Sequence, residues 1–310
     1  MNDVSIIIVT WNNAPDIGRC LDSLSGIGQR MRAEILVVDN ASRDQTVEVI
    51  QNGYPHVRVV CNKQNVGFAA ANNQAMRMTD GRYVMLLNPD TSVDAGTVEV
   101  LVHYLDGSPK AWVAGPMILN PDRSLQVSGV RFPSRWNILV ESLFLDRLFP
   151  HSRLFGSHKE LFEDPHEPRA VDYVQGSALM VRREAINRVG VLDEGFFMYF
   201  EEADWCYRIK EAGGEVHYSP VGKVVHFGGN AFAHFDERRL VHYHRSMLRF
   251  FKKHYSLAQT LGLRLILALR STIRVFLWGT ISLVSASRRR VAISSARGYL
   301  RVLGLLLQRF

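Results

Sequence analysis

Three carboxylates fall within four positions, Glu201, Glu202 and Asp204, directly after the apolar run Phe196-Phe197-Met198-Tyr199-Phe200. Carboxylates crowded beside apolar surface repel one another and resist desolvation, which raises the pKa of at least one of them. A general base working near neutral pH needs that setting. The other reading is an acidic first turn of a helix, whose charges complement the macrodipole. On this stretch alone both readings stand.

Further groups fit the same chemistry. Asp39 and Asp90 each lie where a strand-like run gives way to a loop, in Asp39-Asn40-Ala41-Ser42 and Asn88-Pro89-Asp90-Thr91. Either tetrapeptide also reads as an ordinary turn. In Asn65-Val66-Gly67-Phe68, a glycine at a strand–helix junction lets backbone approach a phosphate-bearing ligand. His226 ends an apolar run ahead of Gly228 and Gly229, in a region that also holds His217, His234, His242, His244 and His254. A histidine so placed serves structure or binds a ligand; with Asp90 at the same edge it makes a mixed oxygen–imidazole divalent site. Gly26-Ile27-Gly28 lacks the third glycine of a dinucleotide fingerprint and follows a helical pattern, and no Walker-type loop is present.

The elements that must hold these groups alternate. Strand patterns at Ser5–Thr10, Glu34–Asp39, Val57–Cys61 and Arg82–Asn88 are separated by helical spacing at Ile17, Leu21 and Leu24, at Val47 and Ile50, and at Ala71, Ala75 and Met78. Ser42-x-x-Gln45 predicts a capping box ahead of the second helix. Val98, Leu101, Val102 and Leu105 mark a fourth helix, and Lys110–Asn120 another strand. Nearly all-apolar strands alternating with helices predict a mainly parallel α/β sheet, which lines up the strand ends, Asp39 and Asp90 included, along one edge. Residues 130–170, broken by Pro133, Pro150, Pro165 and Pro168, read as a long excursion. Residues 171–181 read as a returning strand, and the pattern is helical beyond about 236.

Hydrophobic residues make up 47% of the 310, which excludes global disorder. The net charge of +7 is unevenly spread. Residues 238–310 hold 15 of the 37 Lys and Arg and none of the 30 Asp and Glu. Such a segment calls for an anionic partner. Leu261–Leu269 and Val275–Ser287 are interrupted or bordered by Arg264, Arg270, Arg274 and Arg288-Arg289-Arg290, so no run is long enough to span a bilayer. Apolar stretches bordered by Arg suit helices lying in an anionic headgroup layer; the alternatives are a helical cap on the rest of the chain or a homodimer interface. The aliphatic content argues against nucleic acid. Three widely spaced cysteines, Cys20, Cys61 and Cys206, offer neither a zinc spacing nor a disulfide framework, and Met1–Ser5 has no basic n-region. Both features predict a cytoplasmic protein.

Taken in order, Ser5-Ile6-Ile7-Ile8-Val9-Thr10-Trp11-Asn12, Val37-Val38-Asp39-Asn40-Ala41-Ser42, Asn65-Val66-Gly67-Phe68, Leu86-Leu87-Asn88-Pro89-Asp90, Gly176-Ser177-Ala178-Leu179-Met180 and the Asp193–Arg208 stretch resemble glycosyltransferase family 2. More narrowly, the chain resembles its bacterial rhamnosyltransferase-like branch. The resemblance covers roughly residues 4–230. It implies a GT-A (Rossmann-like) fold over residues 1–236, a basic helical region over 237–310, and inverting transfer of a sugar from a nucleotide diphosphate donor. By the same resemblance Asp39 binds the pyrimidine base, Thr10 and Asn12 line its pocket, and Asn65, Gly67 and Asn88 belong to the donor site. Asp90, completed by His226, holds Mg2+ or Mn2+ against the pyrophosphate, and Glu202 is the base, with Asp204 the alternative base or a partner for Arg208. Two departures stand out: Asn88-Pro89-Asp90 lacks the first carboxylate of the family's metal element, and Glu201-Glu202 replaces Glu-Asp. The expected activity is transfer of L-rhamnose from dTDP-L-rhamnose to a hydroxyl of a glycan acceptor, polyprenyl-linked, in bacterial surface polysaccharide synthesis at the inner membrane face. The alternatives are a UDP-sugar donor or a non-catalytic nucleotide-sugar-binding scaffold.

Overall fold

Val4–Thr10 forms strand β1 and is buried at every position, so its aliphatic run need not alternate with polar residues. The computed structural model describes residues 2–27, 31–149, 152, 154–155, 164–230 and 237–308; His234, Pro150 and Gly28 lie outside them. In register, β1 pairs in parallel with β2 (Ala33–Asp39) on one side and β4 (Tyr83–Leu87) on the other, and β2 pairs in parallel with β3 (Arg58–Cys61). The sheet continues through β11 (Ala178–Arg182), antiparallel to β4 and to β6 (Ala111–Leu119), and through β12 (Glu215–His226), parallel to β6. It ends at β5 (Thr91–Val93), antiparallel to β12, while β7 (Leu125–Gln126) and β9 (Arg169–Val171) add to β6 and β12. A two-stranded ribbon joins β8 (Gly129–Val130) to β10 (Tyr173–Val174).

Because successive side chains of a strand point to opposite faces, β1 feeds two cores. Ile7 and Val9 join Ala71 and Ala75 of helix α3 (Phe68–Met76) and Trp205 and Ile209 of α8 (Glu201–Glu211). Val4, Ile6 and Ile8 join Ile17 and Leu21 of α1 (Ala14–Asp22) and Leu101 and Leu105 of α4 (Thr97–Gly107), beside α2 (Thr46–Gly53). The remaining helices are α5 (Arg135–Ser142), α6 (Leu145–Leu148), α7 (Arg183–Val189), α9 (Glu237–His254), α10 (Leu257–Val284) and α11 (Arg289–Leu307).

The chain divides into two compact units. One comprises Met1–Phe132, Lys159–Phe197 and Glu201–Gly229; the other comprises Pro133–His158, Met198–Phe200 and Asn230–Phe310. Parts of the excursion and of the aromatic run thus group with the C-terminal helices. Within the second unit α10 buries Leu263 and Leu267, and α11 buries Ala292, Tyr299 and Val302. Ser256 and Gln259 form the reciprocal capping box that starts α10. Among the described residues no helix is long and apolar enough to cross a membrane.

Three local expectations are corrected. The capping box at Ser42 does not form: α2 starts four residues later, and the Ser42 hydroxyl accepts from the Asn12 backbone N–H at 2.8 Å. Residues 171–181 do not make one strand but the end of β9, the whole of β10 and most of β11, with the chain turning at Gln175–Ser177. Met78 lies beyond α3 and is exposed.

Candidate active site

The carboxyl ends of β1 and β2 are held together by their own loops. Thr10 and Asp39 are paired in register, and both are buried. Asn12 has a left-handed φ of 56°, which turns its backbone so that its N–H reaches Ser42 Oγ while its Oδ1 accepts from Arg43 N–H at 2.7 Å. Thr10 Oγ1 donates to Asn13 Oδ1 at 3.3 Å. Asp39 Oδ2 accepts from Ser42 N–H at 3.0 Å, but its Oδ1 is buried without a hydrogen-bond partner among the described residues. A buried carboxylate oxygen left unfilled at a sheet edge is an acceptor that a ligand N–H can satisfy.

Asn40, next in sequence, extends this edge: its side chain donates to Gly67 O at 3.1 Å and accepts from Asn62 at 3.0 Å. Asn65 Oδ1 accepts from Gly67 N–H at 2.9 Å, so it shapes the turn ahead of α3. Gly67 has φ +91°, and a Cβ there would lie 2.7 Å from Phe197 O. Phe68 N–H donates to that same carbonyl at 2.7 Å. The glycine therefore lets the aromatic segment dock on the start of α3. Further along, Asn73 bonds to both the carbonyl and the amide of Leu192 and, with Arg77, to Glu194.

On the next strand, Asn88 N–H donates to Ser177 O at 2.9 Å, which ties the Asn88–Asp90 turn to the segment leading into β11. The neighbouring Gly176 faces Glu202: a Cβ on Gly176 would sit 3.6 Å from Glu202 Cδ. One dipeptide thus touches both the Asp90 turn and the acidic helix. Asp90 meets His226 with Oδ1 3.4 Å from Nε2, and Phe227 N–H donates to Asp90 O at 2.8 Å. Gln126 orients the imidazole through Nδ1 at 3.1 Å. Gly228 is packed so closely on Asp90 Oδ2 that no Cβ fits.

Glu201 and Glu202 open α8. Glu201 is 4% exposed, Glu202 is half-buried, and Oε2 of each is enclosed without a hydrogen-bond partner among the described residues. Burial, and then the adjacent Glu202, push the Glu201 carboxyl well above the usual range. Burial also raises Glu202, while the backbone N–H groups of Glu202, Ala203 and Gly176 pull it partway back. Asp204 differs. It is fully buried, and its Oδ2 binds Arg208 Nε at 2.9 Å. Arg208 in turn donates to the carbonyls of Val189 and Val191, so this pair fastens α8 to the end of α7.

The structure therefore links Thr10, Asn12, Asp39, Asn65 and Gly67 in one set of contacts and Asn88, Asp90, His226 and Glu202 in a second, and it pairs Asp204 with Arg208. Asn40, Gln126 and Gly176 also belong to these contacts. Asn40 and Gly176 stand in the motifs that carry the resemblance but had no role assigned to them, and Gln126, a lone amide far in sequence from His226, carries no pattern. No group of three or more His, Cys, Asp or Glu that could hold a metal occurs among the described residues. Asp90 and His226 could offer two ligands to a cation, with water and a phosphate left to complete the shell.

A family model described as "Glycosyl transferase family 2" matches residues 5–190. An N-acetylglucosaminyl-diphospho-decaprenol L-rhamnosyltransferase of Mycobacterium tuberculosis is 29% identical, the match covering 88% of this chain and 95% of that protein. Rhamnosyltransferase WbbL of Escherichia coli K12 is 27% identical over 76% of this chain and 85% of its own. Among solved structures, the mannosyltransferase PcManGT from Pyrobaculum calidifontis, in complex with GDP-Man and Mn2+, aligns over 98% of this chain and 84% of its own with a TM-score of 0.55 at 16% identity. GalNAc-T7 with UDP, GalNAc and Mn2+ aligns over 73% of this chain and 43% of its own with the same TM-score at 19% identity. These likenesses establish the GT-A fold.

Proposed function

The chain belongs to glycosyl transferase family 2, and from that premise we propose that it moves L-rhamnose from dTDP-L-rhamnose to a hydroxyl of a lipid-linked glycan, with inversion at the anomeric carbon. The observation that carries the reading is the Gly176–Ser177 link, which sets the half-buried Glu202 beside the Asp90 turn on one edge. Two relatives named as rhamnosyltransferases support the sugar, and the one named for a diphospho-decaprenol substrate supports the lipid-linked acceptor.

In this reading Asp39 Oδ1, unfilled and buried, accepts the ring N–H of a pyrimidine base. Asp90 and His226 would hold Mg2+ or Mn2+, which when bound offsets the charge growing on the departing nucleotide diphosphate. Glu202 takes the proton of the acceptor hydroxyl as that oxygen bonds to the anomeric carbon, while the bond from that carbon to the diphosphate oxygen breaks. Its raised pKa keeps it basic enough to accept that proton. Asp204 positions α8 through Arg208.

The second unit supports a place at an anionic membrane surface. Leu257, Leu261 and Leu265 recur at helical spacing on α10 and are exposed, and residues 238–310 carry 15 basic and no acidic residues.

The test is a thermal-shift panel of nucleotide sugars on the purified chain with and without Mn2+. Stabilisation by dTDP-L-rhamnose above UDP-sugars supports the donor assignment. The reverse order overturns it in favour of a UDP-sugar enzyme, and no response to any donor overturns the catalytic reading.

A further inference from the structure

The helical unit holds a polar cluster that no step above uses. Arg270 and Arg274 lie one turn apart on α10, a spacing that brings their side chains together. Arg270 Nε and Nη1 and Arg274 Nε are buried and donate to nothing among the described residues. Glu141 of α5 forms an ion pair with Arg270 Nη1 across 3.8 Å, too long for a hydrogen bond. Arg274 stacks over Phe144 with its guanidinium 4.0 Å from the ring centroid, and Asp146 and Arg147 add one charge of each sign near it.

Two hydroxyls of the same unit are buried as well. Ser271 of α10 and Ser295 of α11 are fully buried, and neither Oγ has a partner. His244 of α9 is also fully buried; its Nδ1 lies 2.8 Å from Leu240 O, and its ring meets Tyr299 edge-on with centroids 6.3 Å apart. Burial, and then the charge of Arg270, hold the His244 pKa down at about 4, so the imidazole is neutral. Its Nδ1–H serves Leu240 and its Nε2 is an acceptor, which leaves the guanidinium and hydroxyl groups as the donors on offer.

A guanidinium does not shed its proton, and two positive charges a turn apart with N–H groups turned from water weaken the fold that buries them. An oxyanion removes that cost, and a phosphate matches the guanidinium fork with paired hydrogen bonds. Arg274 as a residue is half-buried, although its Nε is enclosed. The α10 helix also walls an open groove of about 470 Å³, where Ile266 faces Trp136, Leu139 and Phe251 and where Arg135 lies over Gly262 beside Ser134 and Gln259. Ile266 lies one turn before Arg270, so one helix carries a groove-lining aliphatic residue and then the guanidinium N–H groups without acceptors.

We propose that Arg270 and Arg274 form a binding site for the diphosphate of a prenyl-type amphiphile, whose first isoprene units lie in the groove beside Ile266. The identification of that amphiphile with the acceptor's lipid carrier rests on the proposed function; the binding site itself does not.

Hydrogen–deuterium exchange on the full chain tests this, with geranyl diphosphate, inorganic pyrophosphate, dTDP and phosphatidylglycerol vesicles as separate probes. Geranyl diphosphate is expected to slow exchange around Arg270–Arg274 and Ser295, pyrophosphate to do so more weakly, and dTDP to protect the Asp39 and Asp90 loops instead. The R270Q/R274Q variant is expected to bind geranyl diphosphate roughly tenfold or more weakly, the loss expected for hydrogen bonds to a charged group. The R270K/R274K variant keeps the charge but not the fork and is expected to fall between; wild-type exchange decides the matter should either variant fail to fold. Protection by vesicles alone, protection confined to the Asp39 and Asp90 loops, or unchanged affinity in a folded variant overturns the proposal. Absence of sugar transfer by a wild-type chain that still shows the α10 protection counts against the proposed function and leaves this site standing.

Discussion

Asp90 Oδ1 lies 3.4 Å from His226 Nε2, and the pairing of β5 with β12 places the two residues there, since His226 stands opposite Thr91 in the ladder. Gly228 closes on the other oxygen of the same carboxylate, and Gln126 fixes the far side of the ring. In the proposed function this carboxylate and oriented imidazole would form part of a metal shell.

The metal reading makes a graded prediction. His226→Ala is expected to remove one ligand and strongly raise the Mn2+ concentration needed for half-maximal activity. Gln126→Ala removes only the group that orients the ring, and losses of about 10–100-fold in metal affinity are typical of such partners. Titrating Mn2+ against initial rate measures both. Gly228→Ala is expected to resemble His226→Ala, because the added methyl displaces Asp90.

Asp39 carries the nucleotide side of the account. Asp39→Asn presents an amide in place of the unfilled Oδ1 acceptor, and a lost hydrogen bond to a charged group costs about 1.5–3 kcal/mol. Calorimetric titration with dTDP is expected to show affinity roughly 10–150-fold weaker, with metal dependence retained.

Glu201 has a signature in stability. Its carboxyl is raised by burial and by Glu202, so between the unfolded and folded pKa values the native chain holds more protons than the unfolded one. Stability therefore falls as pH rises through that window, which begins at the ordinary glutamate value. Glu201→Gln is expected to match the wild-type Tm below the window, exceed it above, and flatten the profile. Thermal melts from pH 4 to 8 check this.

Gly67 tests how the aromatic segment is held. Its φ of +91° and its approach to Phe197 O leave no room for a methyl group. Gly67→Ala is expected to destabilise by about 1–3 kcal/mol, the scale for a non-glycine residue forced into such a backbone conformation. Denaturant unfolding measures it.

Much of this site could be read from the residues before any coordinates. Asp39 and Asp90 were placed at strand ends because aliphatic runs stop there, and a parallel sheet brings such ends to one edge. The acidic cluster was readable as a helix start, since Glu201 opens α8. What escaped was what depends on long-range geometry. Ser42 looked like a helix cap, but its hydroxyl was drawn to Asn12 across the adjoining loop. Residues 171–181 look continuous in hydropathy, yet the chain breaks at Gln175–Ser177, and that break places Gly176 against Glu202. Local pattern does not distinguish Glu202 from Glu201; the backbone donors around Glu202 do.

The most direct measurement compares wild type with Glu202→Gln in transfer of radiolabelled L-rhamnose from dTDP-L-rhamnose to a lipid-linked acceptor with Mn2+, with donor affinity followed in parallel. Loss of a general base is expected to lower kcat by about 10²–10⁴-fold while donor binding stays unchanged and the wild-type product shows the inverted anomer. A Glu202→Gln enzyme that transfers at the wild-type rate, or a product with retained configuration, contradicts the account.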